Sequence, residues 1–118
     1  MVIIAKDSDD VARLLLTDSS GNLQINVNAP TTIYNGQKVV ADAGTREALG
    51  ADQAILSITI KAHKTNTGNI FVGNNTVSNA NGFILPPGEV VSLDIDNVAD
   101  IYIDSAVDGE GVSWIAVG

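Results

Sequence analysis

The sequence predicts an all-β protein: an antiparallel β-sandwich, jelly-roll-like, with an N-terminal arm or hairpin. Three observations predict it. Turn formers arrive roughly every ten residues with short β-like runs between them, the rhythm of a sandwich or barrel. Several runs alternate apolar and polar residues with a period of two, as in Leu23-Gln24-Ile25-Asn26-Val27-Asn28 and Val91-Ser92-Leu93-Asp94-Ile95-Asp96, the pattern of a strand with one wet face. The apolar content, 45% of the chain against 4% aromatic, comes from Val, Ile, Leu and Ala. Such β-branched-rich material suits pleated sheet better than helix.

The elements follow in order. Val11 to Thr17 is an apolar run closed by Asp18-Ser19-Ser20-Gly21-Asn22, and with Leu23 to Asn28 it reads as a hairpin. Asn35-Gly36 is the strongest two-residue turn signal and predicts a second hairpin between Thr31–Tyr34 and Gln37–Ala41. Thr45 to Ala51 is a loop, a single helical turn or a short strand, too short to stand as a helix. In Ile55 to Lys61, Leu56, Ile58 and Ile60 share one face. Lys64 to Asn69 is a turn, Ile70 to Gly73 a strand, Asn74 to Asn81 a polar loop and Gly82 to Leu85 a strand. Pro86-Pro87-Gly88-Glu89 turns a corner, because two prolines fix φ and remove two donors. Strands follow at Val91 to Ile95, at Ile101 to Asp104 and, after the turn Asp108-Gly109-Glu110-Gly111, at Val112 to Val117. Roughly eight or nine strands of this kind make two packed antiparallel sheets.

The 118 residues give room for one compact domain, and the composition shifts near residue 30. Residues 1–30 read as an arm or hairpin and 31–118 as the sandwich. Ile3, Ile4, Leu14, Leu15 and Leu16 are many apolar residues for a peripheral piece, and an exposed stripe of that kind finds a partner. The expected interface residues are Val2, Ile3, Ile4, Leu14, Leu15 and Leu16.

Charge and residue inventory then exclude function classes. Six Lys plus Arg stand against fourteen Asp plus Glu, a net charge of −8, which phosphate backbones repel. No nucleic-acid partner is expected. The chain has no Cys, hence no thiolate nucleophile and no Cys-based zinc site. No run approaches a membrane span, and the five apolar residues Met1 to Ala5 are too short for a signal-peptide core, so synthesis in a cytosol is expected.

Catalysis lacks material. His63 is the only histidine and sits in a polar turn, where a general base would need an orienting partner. No Gly-x-Ser-x-Gly elbow exposes a serine. Asp7-Ser8-Asp9-Asp10 echoes the start of a calcium loop but lacks its Gly and terminal Glu. Asp94, Asp96, Asp100, Asp104, Asp108 and Glu110 crowd the last third and read as a solvated face, with no metal or cofactor expected. Trp114 shares a strand face with Val112 and Ala116 and reads as a core plug rather than a sugar platform.

The run from Ile58 onward carries Asn66-Thr67-Gly68-Asn69-Ile70-Phe71-Val72-Gly73, then Gly82-Phe83-Ile84-Leu85-Pro86-Pro87-Gly88-Glu89, then Ile101-Tyr102-Ile103-Asp104. It resembles a domain of tailed-phage and prophage virion proteins, among them capsid decoration (cement) proteins, head fibres and small tail or neck accessory proteins. Leu16 to Ile25 is similar to the attachment segments that open such proteins. The resemblance implies a non-enzymatic structural protein of the virion, a homotrimeric β-sandwich whose partner is the major capsid protein. Two alternatives stand beside it. One is a head-fibre, neck or tail accessory protein touching the host surface through Asn74 to Asn81. The other is a carbohydrate-binding β-sandwich module, which requires an aromatic platform.

Overall fold

A computed structural model describes residues 2–6 and 12–16 through their backbone pairing and residues 29–118 in full. The strands are β1 (Val2–Lys6), β2 (Ala12–Leu16), β3 (Ile33–Val40), β4 (Glu47–Ala48), β5 (Ser57–Ala62), β6 (Ile70–Gly73), β7 (Phe83–Leu85), β8 (Val90–Leu93), β9 (Tyr102–Ser105) and β10 (Glu110–Val117), with one 3-10 turn at Val98–Asp100.

β3 to β10 form two four-stranded sheets with orders β3-β10-β5-β8 and β4-β9-β6-β7, every neighbour antiparallel. This is a jelly roll. The pairs β3–β10, β5–β8, β4–β9 and β6–β7 are the rungs of one long hairpin folded at β6–β7 and rolled up, so that successive strands cross between the sheets. Rolling buries one face of each sheet against the other.

The core follows from the alternation. β5 buries Ile58, Ile60 and Ala62, and β10 buries Val112 and Ala116, while Ile70, Val72, Leu85 and Ile103 face them from the second sheet. Leu49, Ile55, Val98 and Ile101, outside the long strands, close the ends of the core. Each such side chain contributes about 1.5–3 kcal/mol when withdrawn from water. At the corner after β7, Glu89 N–H donates to Pro86 O (3.0 Å). Gly88 has φ 81°, so Pro87-Gly88 are the centre of a type II turn, which needs a positive φ at its third residue.

Three expectations are corrected. Asn35-Gly36 is not a turn but the middle of the eight-residue β3. The glycine gives room to an aromatic ring, since a Cβ on Gly36 would lie 2.9 Å from Trp114 Cζ2. Leu56 is 55% exposed rather than on the core face, because regular alternation starts only at Ser57. Ala12–Leu16 also pairs with Val2–Lys6, a partner not expected, while its expected pairing with the run from Leu23 lies outside the described residues. Asp104, expected on a wet face, is 2% exposed. The loop after β3 is tied to its carboxylate, which accepts Gly44 N–H (2.9 Å) and Ser105 N–H (2.8 Å).

Candidate functional site

The six residues expected to form an interface oppose one another. In the β1–β2 ribbon Val2 stands across from Leu16, Ile3 from Leu15 and Ile4 from Leu14. Ala5 and Lys6 then meet Arg13 and Ala12 at the other end. Among the described residues this ribbon is a sheet of its own, hydrogen-bonded to neither sheet of the jelly roll. A two-stranded hairpin is marginally stable in water by itself. Its outer edges also carry backbone donors and acceptors that a further strand can satisfy.

A second surface was not anticipated from the sequence. The outward residues of the β3-β10-β5-β8 sheet form rows in register: Ile33, Val117 and Ser57; Asn35, Ile115, Thr59 and Ser92; Gln37, Ser113, Lys61 and Val90; Val39 and Gly111. Within these rows Lys61 is the one ionisable side chain, in a chain with net charge −8. Ile33 is 67% and Ile115 51% exposed, and Val39 and Val90 are exposed as well. Thr59 and Ser92 satisfy each other across the strands at 2.9 Å. Depletion of charge together with exposed aliphatics is the compositional mark of an interface centre. Only strand neighbours far apart in sequence bring these residues together.

The acidic residues of the last third do not assemble into a site. Asp94, Asp96 and Asp100 are exposed around the end of β8 and the 3-10 turn. Asp108 accepts Ala43 N–H at 2.7 Å, beside the Asp104 contact to Gly44, so both carboxylates hold the same loop. Glu110 accepts Gly68 N–H (2.9 Å), Thr67 Oγ1 (3.0 Å) and Thr67 N–H. The Thr67 amide above all holds its carboxyl below the ordinary glutamate value. Glu47 is lowered likewise by Ala41 N–H and then by Lys38, whose Nζ lies 3.1 Å away. These carboxylates clamp backbone. Among the described residues no three His, Asp or Glu side chains gather as metal ligands, and the His63 imidazole makes no side-chain hydrogen bond.

The Asn66 to Gly73 and Asn74 to Asn81 stretches also resolve into framework. Asn66 is buried and bonds the Gly111 peptide, while Thr67 and Gly68 bond Glu110. Asn66-Thr67-Gly68 therefore fixes the 64–69 loop onto the start of β10. In the Asn74 to Asn81 loop, polar by sequence, Val77 is buried and Asn81 ties Ser78 N–H to its own Oδ1 at 2.7 Å.

Among the concavities between the described residues, two bear on ligand binding. An apolar cleft of about 330 Å3 opens between the sheets beside β7 and β8, lined by Val72, Phe83, Val91, Leu93, Ile95 and Ile101. A polar depression of about 410 Å3 lies along β3, where Trp114 packs against the core as expected and is partly exposed at its edge.

Comparison with protein-family models, curated proteins and solved structures finds no match. Its function is therefore read from its own surfaces: an apolar two-stranded ribbon, a sheet face poor in charge and the concavities, on a frame in which Glu47, Asp104, Asp108 and Glu110 hold loops.

Proposed function

We propose that the protein is a non-enzymatic structural component of a tailed-phage particle, a decoration or cement protein that binds the assembled capsid surface and stabilises it. The observation that carries this reading is the β1–β2 ribbon. Six aliphatic residues face each other across two five-residue strands that join neither sheet of the jelly roll. Such a ribbon gains most of its stability from a surface that covers it or extends it by strand addition.

The charge-poor Ile33–Ile115 face supports the same reading. Copies carrying −8 each repel one another over most of their surface, and the Ile33–Ile115 face is where that repulsion is least. A closed ring of copies, a homotrimer on a threefold position, buries such faces without leaving a growing end. The major capsid protein is then the partner of the ribbon. A protein that binds only the assembled lattice stabilises it by mass action, in proportion to the logarithm of its concentration over its dissociation constant.

Co-sedimentation of the full chain with purified expanded capsids tests this. The full chain pellets with capsids, and a chain lacking residues 2–16 stays in the supernatant while keeping its β-sheet circular dichroism. Failure of the full chain to pellet overturns the capsid assignment. Undiminished pelleting of the truncated chain removes the ribbon from the contact.

A further inference from the structure

Tyr34 and Trp114 line one depression together with Ile33, Asn35, Ala51, Asp52 and Gln53. We infer that this depression is a binding site for a neutral hexopyranose, the kind of residue that ends a surface glycan. A pyranose presents an apolar C–H face and a rim of hydroxyls. Two aromatic rings match the first, since Tyr and Trp combine a large apolar body with a polar tip. Asp52, Gln53 and Asn35 match the second: a carboxylate accepts from hydroxyls at both oxygens, and amides both donate and accept. The volume, about 410 Å3, lies within the roughly 300–1,000 Å3 of small-ligand sites.

The site is also held in shape before any ligand arrives. The indole lies against Gly36 and Gly50, where added Cβ atoms would fall 2.9 and 3.5 Å from Trp114 Cζ2. Asn97 organises the opposite wall. Its Nδ2 donates to Asp52 Oδ1, and its Oδ1 accepts Gln53 N–H (3.2 Å) and Ala99 N–H (2.9 Å). Gln53 Nε2 donates to Ala54 O at 2.9 Å, fixing the plane of that amide. Groups fixed in this way lose little freedom on binding, which favours a small and weakly bound ligand.

Charge selects the class of sugar. Asp52 is the only ionisable carboxylate in the lining and the protein carries −8 overall, so sialylated, uronic and phosphorylated sugars are repelled. The apolar cleft near Phe83 offers no comparable set of hydroxyl partners. The inference does not use the ribbon on which the capsid reading rests, and its titration is read without capsids, although Ile33 and Asn35 also belong to the Ile33–Ile115 face.

The single tryptophan makes the protein its own reporter. The full chain is titrated with glucose, galactose, mannose and N-acetylglucosamine while tryptophan emission and amide NMR shifts are followed. At least one of these sugars gives a saturable change at millimolar concentration, with shifts at residues 33–35, 51–53 and 114, and sialic acid gives none. Asp52→Ala weakens that binding by roughly tenfold or more, the loss of charged hydrogen bonds. Asp52→Asn, which keeps an oxygen for Asn97, serves where the alanine perturbs the loop. Absence of a saturable response to all four sugars overturns the assignment, as do shifts confined to the Phe83 cleft or undiminished binding by both Asp52 variants.

Discussion

The Asn66 side chain bonds the Gly111 peptide as a neighbouring strand would, with Nδ2 donating to Gly111 O at 2.9 Å and Oδ1 accepting Gly111 N–H at 3.4 Å. Both groups are buried, so water cannot replace a lost partner. Asn66→Ala should lower stability by about 1–3 kcal/mol, the usual penalty for orphaned buried polar groups. Asn66→Asp should be worse at neutral pH than in mild acid, because an ionised carboxylate cannot donate to Gly111 O. Urea unfolding of the two variants at two pH values checks both statements.

Glu110 and Glu47 predict how the fold responds to acid. Both carboxyls are held below the ordinary glutamate value, chiefly by the Thr67 and Ala41 amides respectively. A lowered folded-state value means that the unfolded chain takes up the proton first as pH falls. The stabilisation is therefore complete above about pH 4.3, the ordinary glutamate value, and is lost as pH drops through the lower folded values. Glu110→Gln should show a shallower loss of urea midpoint below that pH than the parent protein. Parallel acid limbs for the two proteins would mean that the Glu110 contacts add nothing.

Two glycines on paired strands should respond differently to a single methyl group. At Gly111 an added Cβ would lie 2.0 Å from Lys38 O, a backbone atom that cannot step aside. At Gly36 the obstacle is the Trp114 ring, which can tilt. Gly36→Ala should cost about 1–3 kcal/mol, as overpacking does, and should shift tryptophan emission to the red as the indole moves toward water. Gly111→Ala should be the more damaging, separating β10 from β3. Thermal melts of both variants, with emission spectra of the first, decide the order.

Where sequence patterns ran along a single strand they were legible. The alternation at Val91, Leu93 and Ile95 and the burial of Ile101 and Ile103 follow directly from a period of two, and the Pro86-Pro87-Gly88-Glu89 corner follows from the rigidity of proline. Leu56 departs from its expected face because the strand begins one residue after it; the other departures were made by distant segments. Asn35-Gly36 has the chemistry of a turn, yet a glycine is equally what a strand needs when a neighbouring indole lies across it. Asp104 occupies a position that alternation assigns to water, but the Ala43-Gly44 loop closes over it. The aromatic depression draws on residues 33–35, 51–53 and 114, and no local pattern links those three segments. The charge-poor face is similar, since its rows join residues from β3, β10, β5 and β8.

That face yields the prediction that separates its role from the ribbon's. Ile115 is half exposed at the centre of the sheet, between Asn35 and Thr59, and its side chain contributes little to the monomer's core. Ile115→Asp should therefore leave the unfolding free energy within about 0.5 kcal/mol of the parent, as surface substitutions do. In an associated state, by contrast, the carboxylate would be buried against a second acidic copy, where an unpaired charge costs several kcal/mol. Sedimentation velocity should show the parent as an oligomer and Ile115→Asp as a monomer at the same concentration, with β1 and β2 intact in both. A variant that still assembles would remove the Ile115 face from self-association.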